Sequence, residues 1–379
     1  MSSGEYSWQT RYIWQNPQWP AMHYDLVALT PALARLARQQ GRLDARLALA
    51  GFELGQGADL AMLAAMAQDA IKTSEIEGEV LNAHSVRSSL ARRMGVDIGA
   101  LAPADRQVDG VVDMLLDATG NPASPLTLER LLGWHAALFP TGYSGLSPIR
   151  TGALRDDGKG PMQVVSGPVN RRKVHFEAPA APALAPELGN FLAWAAAPTQ
   201  DPPLVKAGLA HLWLVTLHPF DDGNGRIARA VGDLFLARAD SATRRFYSLS
   251  AQIQRQRKHY YDVLERTQKG DLEVTEWLAW FLAMLEKALA QAHLEFDLVL
   301  AKASYWQRWA GGPINARQSK LLNRLLDGFD GKLTSGKWAA IAKCSSDTAL
   351  RDINELVAKG MLAKDGAGGR STGYVVALG

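Results

Sequence analysis

Residues 211–236 read HLWLVTLHPFDDGNGRIARAVGDLFL. The apolar start belongs to a longer segment, LVKAGLAHLWLVTL, which reads as a helix buried on every face and able to hold His218 rigidly at its end. Gly223 and Gly225 permit a tight turn with exposed backbone N–H groups. RIARAVGDLFL then returns to helical periodicity, so a loop of N–H groups opens a helix, which is a ready anion site. Arg226 and Arg229, at i and i+3, share a face of that helix's first turn. Cations there oppose the helix dipole and require a polyanion or a buried carboxylate nearby. Asp222, beside the glycine turn, is placed to hold Mg²⁺, which favours one or two carboxylates plus phosphate oxygens. His218 has the pKa range of a general base at neutral pH, and Phe220 is expected to anchor the loop in the core. Together these parts fit group transfer from a nucleoside triphosphate onto a hydroxyl.

Working outward, helical patterns precede and follow this stretch almost everywhere. The chain has 379 residues, 47% of them hydrophobic and 21% charged, with alanine and leucine abundant, so helix should dominate two or three domains. An exception is MQVVSGPVNRRKVHFEAP, residues 162–179, whose β-prone runs flank Gly167-Pro168 and read as a small hairpin. Trp8, Trp14 and Trp19 lie among polar residues and prolines and suggest an extended arm pinned by aromatics. Glu77 ends an apolar helical pattern before Gly78, with Thr73 one turn back on the same face.

The stretch HPFDDGNGRIAR resembles the Fic motif, His-x-Phe-x-Asp/Glu-Gly-Asn-Gly-Arg-x-x-Arg, at every fixed position. The resemblance covers roughly residues 60–290 and implies a mostly α, helical Fic fold with a small β-hairpin flap. It also implies transfer of AMP from ATP to a tyrosine, threonine or serine hydroxyl of a target protein. By position, His218 is then the base and Asp222 the Mg²⁺ ligand. Asn224 and the backbone of Gly223, Gly225 and Arg226 bind phosphates, Arg226 contacts the phosphate chain, and Arg229 takes the γ-phosphate. The hairpin residues Val164, Val165, Ser166, Gly167, Val174 and His175 resemble the flap that docks the target segment by strand addition. Tyr260 and Tyr261 lie near the nucleotide by resemblance, or serve as core aromatics. Thr73 to Gly78, TSEIEG, is similar to the family's inhibitory pattern Ser/Thr-x-x-x-Glu-Gly/Asn. That resemblance implies that Glu77 pairs with Arg229 and blocks productive ATP binding; in some relatives the same glutamate supports AMP removal.

Gly311-Gly312-Pro313 marks a change of texture. Residues 314–379 read as three short helices and a β-ribbon, with Lys343-Cys344-Ser345 as the turn between two of them, and resemble a winged helix-turn-helix domain. Thr348, Arg351, Lys337 and Arg370 are its candidate DNA contacts, but Asp347, Asp352, Glu355 and Asp365 dilute its charge, and docking to a protein is the other reading. The expected division is an arm and helix over 1–55, an inhibitory segment over 56–100, a Fic core over 101–310, and this module. A homodimer that keeps the inhibitory contact closed is implied by resemblance alone.

The net charge of +3 permits an anionic partner without demanding one. The single cysteine, Cys344, excludes an internal disulfide and a cysteine-based zinc site. The N-terminus lacks an apolar signal core and no apolar run reaches the ~18 residues of a membrane span, so the sequence reads as cytoplasmic with no membrane partner. The leading reading is an autoinhibited protein adenylyltransferase. AMP removal or another nucleotide transfer at the same site, and a DNA-binding regulator with a nucleotide-sensing core, are the alternatives.

Overall fold

The computed structural model describes residues 11–377 apart from 51–55, 100, 159, 169–170, 241–244, 327, 330 and 366–371. The chain divides into two compact units, one of Met1–Leu49 and Ala58–Ala292, the other of Ala50–Gly57 and His293–Gly379.

The first unit is helical. It contains α1 (Leu26–Ala50), α2 (Gln56–Ile76), α3 (Ala83–Met94), α4 (Arg106–Gly120) and α5 (Leu128–Leu138). Two short antiparallel pairs follow, β1 (Tyr143–Ser144) with β2 (Ser147–Pro148), and β3 (Gln163–Ser166) with β4 (Lys173–Glu177). Next come α6 (Ala181–Ala196), α7 (Pro203–Leu217), α8 (Asn224–Ala239), α9 (Leu249–Arg255), α10 (Arg257–Gln268) and, up to Ala292, the long α11 (Thr275–Arg308).

At the centre is α7. Every residue from Leu204 to Leu217 is buried, as its nearly uninterrupted apolar sequence requires. Its close neighbour α11 demands a small residue: a Cβ on Gly208 would lie 2.8 Å from the Leu278 side chain, and Trp277 Nε1 donates to the Gly208 carbonyl at 2.8 Å. The one polar ring in the middle of α7, His211, shares a hydrogen bond with the Tyr260 hydroxyl at 2.9 Å, and burial pushes its pKa down to about 3. It is therefore a neutral core residue.

The N-terminal arm packs by its aromatics. Tyr12 meets Phe176 of β4 edge-on with ring centres 5.2 Å apart, and Trp14 Nε1 donates to the Glu177 carbonyl at 2.7 Å. Trp19 Nε1 donates to Glu187 at 3.0 Å. The arm thus anchors one strand of the hairpin.

Where α2 ends, Gly78 adopts φ 87°. Gly78 N–H bonds to the Glu75 carbonyl at 3.1 Å and Glu79 N–H to the Ser74 carbonyl at 3.0 Å. This is a Schellman termination, in which a left-handed glycine satisfies the last helical carbonyls and turns the chain sharply. Glu77 and Glu79 flank that glycine.

The second unit contains α12 (Ala316–Leu326), α13 (Ser335–Ala342), α14 (Ser346–Ala358) and the antiparallel pair β5 (Leu362–Lys364) and β6 (Tyr374–Val376). Leu321, Leu322, Trp338, Ile353 and Leu356 form its core. Between α13 and α14, Lys343 takes a left-handed conformation with φ 51°, and the Ser345 hydroxyl caps α14 by accepting from Thr348 N–H at 3.2 Å. The glycine break does end α11, but the two units divide earlier, at Ala292/His293 inside that helix. No helix among the described residues is long and apolar enough to cross a membrane.

Candidate active site

The loop from His218 to Gly225 joins α7 to α8. His218 closes α7 in a left-handed conformation with φ 46°, which turns its ring out of the helix line. Its Nδ1 lies 2.6 Å from the Val215 carbonyl. A carbonyl can only accept, so Nδ1 carries the proton and Nε2 presents a lone pair. Burial pushes the His218 pKa below the usual histidine value and the Arg155 cation adds to this, against the Val215 carbonyl, Glu77 and Asp222. The ring is therefore neutral at pH 7.

Several contacts fix the loop. Arg155 is buried and donates through Nε to the His218 carbonyl at 2.7 Å, and its backbone N–H bonds to the Pro219 carbonyl at 3.0 Å. Phe220 is fully buried and stacks on His135, centres 4.4 Å apart and planes 8° from parallel. His135 Nδ1 accepts from Gly152 N–H at 3.0 Å, and burial holds its pKa down at about 4. Asn224 folds back on the loop, accepting from Phe220 N–H at 2.9 Å and donating to the Phe220 carbonyl at 2.8 Å. Its side chain thus holds the turn, leaving backbone N–H groups at the head of α8. Gly223 has φ 77°, and a Cβ there would press on the Phe139 ring at 2.9 Å.

Arg226 and Arg229 lie side by side on α8, and both are almost wholly buried. Each meets the end of α2. Arg229 donates through Nε to the Thr73 hydroxyl at 2.7 Å, and through Nη2 to the Thr73 carbonyl at 2.9 Å and Glu77 Oε1 at 2.7 Å. Arg226 donates through Nη1 to Glu79 Oε2 at 2.5 Å, while its guanidinium sits 5.0 Å over the Phe139 ring. The Glu77 carboxylate reaches the first turn of α8, where a Cβ on Gly225 would collide with it. A negative group therefore already occupies the positive end of this helix.

Beside His218 opens a cleft of about 470 Å³ between the hairpin and α10, bordered by Glu77, Val164, Ser166, His218, Gly225 and Tyr261. In the hairpin Val164 pairs with Phe176 and Val165 with Val174, with a bulge between Val164 and Val165; Gly167 turns the chain with φ 91°. His175 is fastened to α10: its Nδ1 lies 2.6 Å from Glu265, and its Nε2 lies 2.6 Å from the Ser166 hydroxyl. Tyr260 is buried against His211, and the Tyr261 hydroxyl donates to the Ile76 carbonyl at 3.3 Å. Both tyrosines border the cleft while tying α10 to its neighbours.

Asp222 Oδ1 accepts from Gly223 N–H at 2.6 Å, and Oδ2 accepts from the Ser144 hydroxyl. Among the described residues no group of three histidine, cysteine or carboxylate side chains gathers to hold a metal. One oriented carboxylate suits Mg²⁺ arriving with phosphate oxygens, and does not suit a metal held by protein alone.

The structure thus brings His218, Asp222, the glycines, both arginines, Glu77, Thr73 and the hairpin into one region. In the second unit Thr348 serves the cap of α14, Lys337 lies 5.7 Å over the Phe329 ring, and Arg351 is exposed. Arg370 and Trp8 lie outside the described residues. Sequence reasoning missed Arg155, His135, Ser144 and Glu79. The first three join the loop from 63, 85 and 78 residues away (218 − 155, 220 − 135, 222 − 144), and only the fold shows them. Glu79 was legible as a second acid beside the glycine, but its partner was not.

Residues 12–96 match a domain of unknown function, DUF4172, and residues 125–236 match the Fic/DOC family. The chain is 28% identical over 203 residues to the protein adenylyltransferase Fic of Aedes aegypti, a match covering 52% of this chain and 36% of that protein. It is 39% identical over 71 residues to the protein of the same name in Culex quinquefasciatus, covering 18% of this chain and 13% of that one. The aligned stretches thus span about a third or less of these relatives. A crystal structure of a Fic family protein from Desulfovibrio desulfuricans G20 shares the fold, with a TM-score of 0.54 at 20% identity over 91% of this chain and 96% of that one. Residues 125–236, with the motif loop inside them, thus form a domain of the Fic/DOC family.

Proposed function

We propose that this protein is an adenylyltransferase that moves AMP from ATP to a hydroxyl side chain of a target protein, and that the structure is its self-inhibited form. The observation that carries the reading is the pairing of a base-ready His218 with two buried arginines at the head of α8. In the proposed reaction the target hydroxyl passes its proton to His218 Nε2 while its oxygen attacks the α-phosphorus. The bond from that phosphorus to the α–β bridging oxygen breaks, and pyrophosphate leaves. The N–H groups at the start of α8, with Arg226 and Arg229, oppose the charge that develops on the phosphates. Asp222 would hold Mg²⁺ together with phosphate oxygens, and bound Mg²⁺ would supply further neutralisation of that charge. The hairpin presents an open edge at β3 beside the cleft, where an extended target segment could pair by main-chain hydrogen bonds.

Self-inhibition rests on Arg229. Thr73 and Glu77 take up its Nε and Nη2, so the group meant for the terminal phosphate is engaged by the protein itself. For the second unit we propose docking to a protein. The exposed side of α14 carries Arg351 between Asp347 and Glu355, a poor match for a phosphate backbone.

Two labelled forms of ATP test the reaction. With Mg²⁺ and cell lysate, adding the Glu77→Gly variant should bind label from the α-phosphate to protein and add no label from the γ-phosphate beyond what lysate alone incorporates. His218→Ala in the same background should lower incorporation by ~10²–10⁴-fold, the range of a general base. Incorporation of γ-label above that of lysate alone, without α-label, would make the protein a kinase and overturn the reading.

A further inference from the structure

The inhibitory pattern ends at Gly78, and the carboxylate one residue beyond it has a partner of its own. Glu79 Oε2 meets Arg226 Nη1 at 2.5 Å. The Schellman turn at Gly78 sets Glu77 and Glu79 on either side of the glycine, and the arginines at 226 and 229 lie one helical turn apart. The two series run in opposite directions, so Glu77 meets Arg229 and Glu79 meets Arg226. We propose that Glu79 is a second inhibitory residue, which holds Arg226 away from the nucleotide's phosphates and sets the affinity for ATP. This deepens the adenylyltransferase reading and rests on it.

Two features decide between a brake and a support. Arg226 has a second hold besides Glu79: it is 1% exposed, and its guanidinium lies 5.0 Å over the Phe139 ring. Charge points the same way. Glu79 lies close enough to Glu77 and Asp222 to feel both as like charges, so three carboxylates gather where a polyphosphate must enter. Removing Glu79 lowers the repulsion and frees a cation. Because both glutamates leave the same helix end, a movement of that end would release both arginines together. A substitution of Glu77 alone frees only one.

The test is the affinity for a non-hydrolysable ATP analogue with Mg²⁺, and for AMP, by calorimetry on the full chain. The variants are Glu77→Gly, Glu79→Gln and the pair of them, with Glu79→Asp as a milder change and thermal melting to check folding. The expected result is that Glu79→Gln tightens the ATP analogue by ~5-fold or more in the Glu77→Gly background, the lower end of an ordinary coupling between sites. AMP, which lacks the outer phosphates, should gain less. A purely structural role would shift both ligands alike. Weaker or unchanged binding of the ATP analogue in the double variant would overturn the proposal and make Glu79 a support for Arg226. Tighter binding without AMP transfer would sustain it and overturn only the adenylyltransferase reading. No binding by any folded variant would overturn both.

Discussion

His218 owes its readiness to two neighbours that the local sequence does not reveal together. The Val215 carbonyl fixes the proton on Nδ1, and Arg155 holds the His218 backbone from another part of the chain. The pH dependence follows from the direction of its shift. A histidine whose folded pKa lies below its ordinary 6.5 remains neutral, and so remains a base, as the pH falls through 6.5. The rate of AMP transfer by Glu77→Gly should thus be flat from about pH 7 to 8, with its acid limb below the ordinary histidine value. A kcat/KM profile checks this, and a midpoint above that value would mean that burial does not govern the ring. The motif was legible at this scale because its residues are contiguous and each does one job. Loop supports were not, since a hydrogen bond across tens of residues leaves no mark on spacing. Asn224 shows the limit from the other side: its place in the motif was plain, while its side chain proved to be the clasp of the turn.

Two elements shape the site most directly, the end of α2 and the hairpin. Gly78 was legible as a helix stop, and the Schellman turn explains why the stop matters: it aims two carboxylates at one face of α8. The hairpin was legible from its β-prone runs around Gly167-Pro168, but its fastening was not. His175 ties β4 to α10 through Glu265 and reaches Ser166 across the hairpin. Hydrogen bonds of this kind contribute about 0.5–1.5 kcal/mol each. His175→Ala should therefore raise amide exchange over 163–166 and 173–177 by a few-fold and raise KM for the target protein, with little change in the melting temperature. Unchanged exchange would show that the arm, through Tyr12 and Trp14, holds the hairpin by itself.

Over the whole first unit, the site is made by segments that lie far apart in the chain. Thr73, Glu77 and Glu79 fall in the stretch matching a domain of unknown function, and His218 to Arg229 fall in the stretch matching the Fic/DOC family. Their ion pairs span 152 and 147 residues. A buried arginine that loses its only acid costs about 3–5 kcal/mol unless another anion replaces it. In the proposed mechanism ATP is that anion, so nucleotide and α2 compete for the same cations. The helical class was legible from composition and periodicity. The division of the chain was less so, because α11 runs without a break through the point where one unit gives way to the next.

The most direct measurement is the initial rate of AMP incorporation into protein by wild type and by Glu77→Gly, side by side at equal ATP and Mg²⁺, with both shown to be folded. Self-inhibition through Arg229 predicts a rise of ~5–150-fold in the variant, the range expected of a switch worth a few kcal/mol. Equal rates in the two proteins would contradict it, for the contact between Glu77 and Arg229 would then be part of the fold and no brake on the reaction.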